Sequence, residues 1–311
     1  MQVIDATTVI ARLAPRALVA ALERMFRDGC SAPDRHHHTL PVPEAPDATL
    51  LLMPAWRSGN YLGVKLVTVF PGNSARKLPA VSAAYVLMDA CTGALLALID
   101  GGELTARRTA ATSALAARYL ARPDARSLLI IGTGRIARNL AEFHSAVRPG
   151  LEQLSIWGRS ARNAIVLAGE LRESGIEAHA VSDLPSAVQR ADIISTATLS
   201  TEPLVRGEWV RPGTHVDLVG GYTPAMREAD DALVAQASVF VDTRAGALHE
   251  AGDLVAPLER GILRREDVVE LAELCSNKHP GRRSATEITL YKSVGAALED
   301  LAAAILVIES G

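Results

Sequence analysis

Near the N-terminus, apolar side chains return every third or fourth position: Val9, Ile10, Leu13, Leu18, Leu22, Met25 and Phe26. This spacing predicts an amphipathic helix over residues 7 to 28. The rhythm is lost from 31 to 60, a Pro-rich stretch that reads as irregular apart from the apolar run Leu50-Leu51-Leu52-Met53. Residues 61 to 70, rich in Val and aromatics, predict a strand closed by the turn signal Pro71-Gly72-Asn73. Two more strands are expected at Ala83 to Met88 and Ala94 to Ile99, joined by Asp89-Ala90-Cys91-Thr92-Gly93.

The pattern changes after residue 104. Thr105 to Leu120 is Ala- and Leu-rich and predicts a strong helix, followed by the linker Arg122-Pro123-Asp124. From Ser127 onward, short apolar runs alternate with helical segments. The strands predicted are Leu128–Ile131, Leu154–Trp157, Ala178–Val181, Ile193–Thr196, His215–Val219 and Val239–Val241. Continuous apolar strands separated by helices indicate an α/β fold with a doubly wound parallel sheet of Rossmann type. The segment from about 286 reads as another long Ala- and Leu-rich helix, expected to pack on the N-terminal domain. The expected division is therefore residues 1–120 with 285–311 as an α+β domain, and residues 121–284 as the Rossmann domain.

Composition narrows the function classes. A formal net charge of −3 gives no electrostatic basis for binding nucleic acid or an anionic membrane surface. Three separated cysteines, Cys30, Cys91 and Cys275, form neither a disulfide framework nor a zinc spacing, which points to a reducing, cytoplasmic setting. No apolar run reaches the roughly 18 residues of a membrane span. The triplet His36-His37-His38 suggests metal by composition, but consecutive residues rarely ligate one ion together, and no metal is expected.

The most specific motif is Gly132-Thr133-Gly134-Arg135-Ile136-Ala137, directly after the strand Ser127 to Ile131. It fits G-x-G-x-x-G/A in its strand-to-helix context. The first glycine permits the tight turn, the second lets backbone approach a pyrophosphate, and Ala137 lets helix pack on strand. The next strand ends Trp157-Gly158-Arg159-Ser160, without the acid that would select the ribose 2′-hydroxyl of NAD. Arg159, helped by Ser160 and Arg162, suits a 2′-phosphate, so NADP(H) is favoured and NAD(H) remains possible. The expected cofactor set is Gly132, Thr133, Gly134, Arg135, Ile136, Arg159 and Ser160, with the strand-end residues Thr196, Thr198, Val219 and Gly220 and the helical Thr112.

Candidate substrate groups stand elsewhere. Lys65 shares a strand face with Gly63, Val67 and Val69, and a lysine on a mostly buried face needs a partner or a function. Arg107 and Arg108 fall in the first turn of the predicted helix, where cations oppose its dipole. Binding an anionic group is one reason for them to be there; ordinary surface solvation is the other.

Several strings together resemble the ornithine cyclodeaminase/mu-crystallin family: Arg108-Thr109-Ala110-Ala111-Thr112-Ser113-Ala114, Gly63-x-Lys65-x-Val67 followed by Pro71-x-Asn73, Leu52-Met53-Pro54, the Gly132 loop, and Tyr291-Lys292-Ser293-Val294-Gly295. The resemblance runs through essentially the whole chain. It implies a homodimer, built through the N-terminal domain completed by the C-terminal helix. It also implies a small amino- or imino-acid substrate, whose carboxylate is held by Lys65, Arg108 and Arg35. Three positions depart from the cyclodeaminases. Tyr222 stands where they keep an aspartate after the glycine pair, Leu51 where they keep a glutamate, and Gly158-Arg159 where they keep an acid for NAD. A phenol with pKa about 10 does not replace a carboxylate as a base at neutral pH.

The sequence therefore favours net hydride transfer to or from a small imino or amino acid, as in the family's ketimine reductases and amino-acid dehydrogenases. Lys65 and Tyr222 are the candidate catalytic groups, Lys65 as proton donor and Tyr222 as hydrogen-bond donor or pocket wall. The alternatives are ornithine cyclodeamination, with Asp217 or Glu228 standing in for the missing aspartate, and a non-enzymatic NADP-dependent ligand-binding role like that of mu-crystallin.

Overall fold

In the computed structural model, which describes residues 1–311 apart from the Ser74 side chain, Pro15 divides the predicted N-terminal helix in two. A short strand β1 (Gln2–Ile4) precedes α1 (Ala6–Arg12) and α2 (Pro15–Asp28). Proline lacks the N–H that a helix interior needs, so it can only open a new first turn. The stretch read as irregular contains two strands, β2 (His36–Leu40) and β3 (Ala48–Trp56), and β4 (Tyr61–Val69), β5 (Val81–Asp89) and β6 (Leu95–Asp100) follow. Pro54 lies inside β3, opposite Val64 of β4. It is tolerated because Trp56, two residues on, donates its N–H away from β4 to Ser31, and Pro54 shares that side. Its missing N–H therefore costs no β3–β4 bond.

These strands form one six-stranded sheet in the order β1-β6-β5-β4-β3-β2, antiparallel except for the parallel β1–β6 pair. The long helix α3 (Gly101–Leu120) follows β6. It begins four residues earlier than predicted, which moves Arg107 and Arg108 into its second turn and removes the conflict with the helix dipole.

Further along come β7 (Ser127–Ile131), α4 (Arg135–Val147), β8 (Gln153–Trp157), α5 (Ala161–Glu173), β9 (His179–Ala180), α6 (Leu184–Arg190), β10 (Ile193–Thr196) and β11 (His215–Leu218). Then follow α7 (Asp231–Gln236), β12 (Ala237–Val241), α8 (Arg244–Glu250), α9 (Gly252–Glu259), β13 (Val269–Glu270), α10 (Leu271–Cys275), β14 (Ile288–Lys292) and α11 (Ala297–Glu309). Strands β7 to β14 make an all-parallel sheet in the order β13-β12-β14-β11-β10-β7-β8-β9. The Rossmann class holds, with two strands more than predicted.

The chain divides into Met1–Arg108 with Ala296–Gly311, and Thr109–Gly295. Both boundaries differ from those expected at 120 and 285. The second differs because β14, read as the start of the last helix, is a fully buried strand between β12 and β11. Its run Ile-Thr-Leu-Tyr-Lys is too short to display a period by which strand and helix differ. In the first unit α11 packs on α2, β3 and β4, as expected of the C-terminal helix. The second unit closes over an aliphatic core that includes Leu129, Ile131, Val216, Leu218, Val241 and Leu290. Among the described residues no helix is long and apolar enough to cross a membrane.

Candidate active site

In the second unit, the sheet order reverses beside β7, with β8 on one side and β10 on the other. This is the switch point where open parallel sheets take ligands at their carboxyl ends. Gly132 leaves β7 with φ 136°, and a Cβ there would lie 2.5 Å from the Ala197 carbonyl oxygen, so no other residue fits. Its N–H donates to the Trp157 carbonyl at 2.9 Å, tying the turn to the end of β8. Gly134 caps α4 without a side-chain hydrogen bond, and a Cβ added to it would meet nothing within 4 Å. The free space and the uncapped first-turn N–H groups suit a pyrophosphate. Thr133 packs its methyl against Gly158, Arg135 is exposed, and Ile136 is half-buried.

Ser160 caps α5 by accepting the Asn163 N–H at 3.4 Å, and Arg159 and Arg162 lie exposed beside it. No carboxylate ends β8. Thr196 is buried and donates its hydroxyl to the Asp217 carbonyl, while Val219 donates its N–H to the Thr196 carbonyl. Thr112 is fully buried in α3.

The ends of β10 and β11 are clasped by a residue that sequence reasoning assigned differently. Glu228 accepts the Gly220 N–H on one oxygen, and the Thr198 N–H and hydroxyl on the other, each at 2.7 Å. Its own N–H and that of Ala229 donate to Asp253 Oδ1 at 2.7 and 3.0 Å, and Lys292 Nζ lies 3.2 Å from Asp253 Oδ2. All three side chains are fully buried. Burial pushes the Glu228 carboxyl up, against the pull of Lys292. Asp217 is equally enclosed, accepting the Ser195 hydroxyl at 2.6 Å. Neither acid is therefore presented as a substitute for the aspartate missing at Tyr222, whose side chain is exposed. The roles of Lys292 and Asp253 were not found in the sequence; a lysine inside the apolar β14 run was the available signal.

In the first unit Lys65 and Arg108 are 3% and 4% exposed and meet over two acids of α11. Lys65 Nζ is 2.7 Å from Asp300 Oδ2, Arg108 Nε donates to Asp300 Oδ1 at 2.8 Å, and Arg108 Nη1 donates to Glu299 Oε2 at 2.7 Å. Arg35 is half-buried and near enough for its charge to weigh on Lys65. Burial lowers the Lys65 pKa to about 8, against the pull of Asp300. Burial also opposes the Arg108 charge, but Asp300 and Glu299 outweigh it and hold the guanidinium above its ordinary value. Arg107, by contrast, donates to the Leu13 carbonyl from its Nε and Nη2 and so ties down the end of α1. The cluster gathers the three cations expected for a carboxylate. It also holds Asp300 and Glu299, which nothing in the sequence marked beyond two adjacent acids in an Ala- and Leu-rich helix.

Comparison with known proteins places the chain and its fold in a known family. A family model for the ornithine cyclodeaminase/mu-crystallin family matches residues 2–311. A delta(1)-pyrroline-2-carboxylate reductase of Paracoccus denitrificans is 45% identical over 279 residues, spanning 86% of this chain and 87% of that one. The Thermococcus litoralis enzyme of the same name, solved with NADH and L-proline, superposes with a TM-score of 0.92 at 33% identity, over 100% of this chain and 97% of the other. An archaeal alanine dehydrogenase dimer with bound NAD gives 0.90 at 29% identity, over 100% and 95%.

Proposed function

This chain belongs to the ornithine cyclodeaminase/mu-crystallin family, and from that premise we propose that it is a homodimeric NAD(P)-dependent reductase of small cyclic imino acids of the Δ1-pyrroline-2-carboxylate type. The observation that carries this reading is the buried Lys65–Arg108 cation pair in a chain whose glycine pair leads to an exposed tyrosine. The names of the Paracoccus and Thermococcus relatives support the substrate class, and the alanine dehydrogenase dimer supports the assembly.

Arg35, Arg108 and Lys65 hold the substrate carboxylate by charge-assisted bonds and so orient the imine carbon. Lys65 also donates a proton to the imine nitrogen: its N–H bond breaks as the new one forms, and the carbon becomes the stronger hydride acceptor. The nicotinamide, when bound, supplies that hydride and is itself oxidised. Lys65 then recovers its proton from solvent, and hydride plus proton balance the conversion of imine to amine. Tyr222 acts as a wall or hydrogen-bond donor and not as a base. The test is oxidation of NADPH and NADH by purified protein with Δ1-pyrroline-2-carboxylate and linear imines. Steady, substrate-dependent oxidation is expected; ammonia released from ornithine without net cofactor turnover would assign the chain to the cyclodeaminases instead.

NADP(H) is the preferred cofactor in this reading, because Arg159 and not an acid follows β8. Arg159→Asp is expected to raise the KM for NADPH by about 10- to 100-fold, the worth of one charge-assisted bond to a phosphate. The KM for NADH should hold or fall. Parallel losses with both cofactors would remove Arg159 from the 2′-phosphate site.

A further inference from the structure

Lys65 and Arg108 do not stand alone as receptors for an anion, because the chain has already placed two carboxylates between and beside them. Counting Lys65, Arg108, Asp300 and Glu299 as charged, the buried group is neutral, and Arg35 supplies its excess positive charge. Asp300 touches both cations, with one oxygen 2.7 Å from Lys65 Nζ and the other 2.8 Å from Arg108 Nε. Its backbone lies in the first turn of α11, a helix packed on α2, β3 and β4, so the carboxylate is held by the fold and not by the ligand.

From this geometry we infer that Asp300 is a positioning residue that keeps the proton on Lys65 and so sets the upper pH limit of the reaction. The inference rests on the reading of Lys65 as proton donor given above. The groups around Lys65 are Asp300 from α11, with Glu299 beside it on Arg108, Arg108 from α3, Arg35 from the segment before β2, and Tyr85, its cross-strand partner on β5. Met53, its partner on β3, carries no charge. Burial, Arg108 and Arg35 favour loss of the Lys65 proton, Tyr85 is neutral because burial raises its pKa well above the usual phenol range, and Asp300 opposes that loss through its charge and its contact with Nζ. Removing its charge while keeping its shape therefore takes away the one carboxylate bonded to Lys65 and leaves Glu299, which is engaged by Arg108, as the remaining acid of the group. The Asp300 carboxyl itself stays ionised: burial works against it, but Arg108 and Lys65 hold its pKa below the ordinary value.

The chain has four lysines, Lys65, Lys77, Lys278 and Lys292, so each ε-carbon signal can be followed by NMR in protein labelled at that carbon and assigned by single Lys→Arg variants. In the native protein Lys65 is expected to titrate near pH 8. In Asp300→Asn the midpoint should drop by at least one pH unit, and Asp300→Glu should return most of it. The alkaline limb of kcat/KM for NADPH-dependent imine reduction should move with it, in the same order of variants. An unmoved Lys65 midpoint in Asp300→Asn, or a limb that stays in place while the midpoint moves, refutes the role assigned to Asp300. Absence of turnover on every imine instead refutes the proposed function, and the NMR titration still decides whether Asp300 holds the proton.

Discussion

Lys65→Met is expected to lower kcat/KM for imine reduction by about 10³- to 10⁵-fold. Loss of a positioned general acid costs roughly 10²- to 10⁴-fold, and loss of one charge-assisted bond to the carboxylate adds about tenfold or more. Electrostatics adds to this, since a neutral residue at 65 leaves Arg108 facing both Asp300 and Glu299 and turns the four-residue group from neutral to negative. A carboxylate ligand then meets like charge. Removing one member of a buried ion pair costs on the order of 3–5 kcal/mol, and the lower end applies here because Arg108 still engages both acids. Thermal unfolding should therefore show a folded protein of lower Tm. Lys65→Arg separates the two roles: it restores the charge but carries a proton too tightly held to donate, so KM should recover more than kcat. Equal recovery of both would leave Lys65 as a binding residue only.

Gly220→Ala is expected to loosen the second unit and to abolish cofactor binding together. A Cβ at this position would fall 2.0 Å from the Thr198 carbonyl oxygen, 2.3 Å from its nitrogen and 2.6 Å from Glu228 Oε1. Backbone must shift, and the shift breaks the clasp through which Glu228 joins Gly220 to Thr198. Overpacking and the loss of charged hydrogen bonds sum to about 3–5 kcal/mol, or a fall in Tm on the order of 10 °C for a domain of this size. Gly221→Ala is the control. There the nearest atoms are Asp253 Oδ2 at 3.1 Å and Lys292 Nζ at 3.4 Å, ends of side chains that can give slightly. A calorimetric Tm and a cofactor Kd in Gly220→Ala that match the native values would show that the clasp does not support the site.

The Gly132 loop was readable from sequence because its chemistry is local. A strand, a glycine with no room for a side chain and an uncapped helix start lie within a few consecutive residues, and the structure keeps them in that relation. Lys65 was readable for a different reason. A lysine among alternating apolar positions is costly unless something compensates it, and that cost is visible without coordinates. What compensates it was not visible, since Asp300 lies 235 positions away and reaches Lys65 only because α11 packs on β4. The same limit governs Glu228. In the sequence it was one of two acids near a missing aspartate, whereas in the fold its oxygens are taken up by Gly220 and Thr198. Strand β14 was missed because five buried residues carry no period.

By itself, then, the sequence determined the fold class, the glycine loop, and the buried cation Lys65, beside which the family resemblance set Arg108 and Arg35. Each is written in residues close together or in a mismatch between one side chain and its strand face. The tertiary structure alone decided which acids accompany those cations, which acids are sequestered, and where the two units divide. These depend on side chains from distant segments meeting in a low-dielectric interior, where a charge is kept only by the partner that packing brings to it.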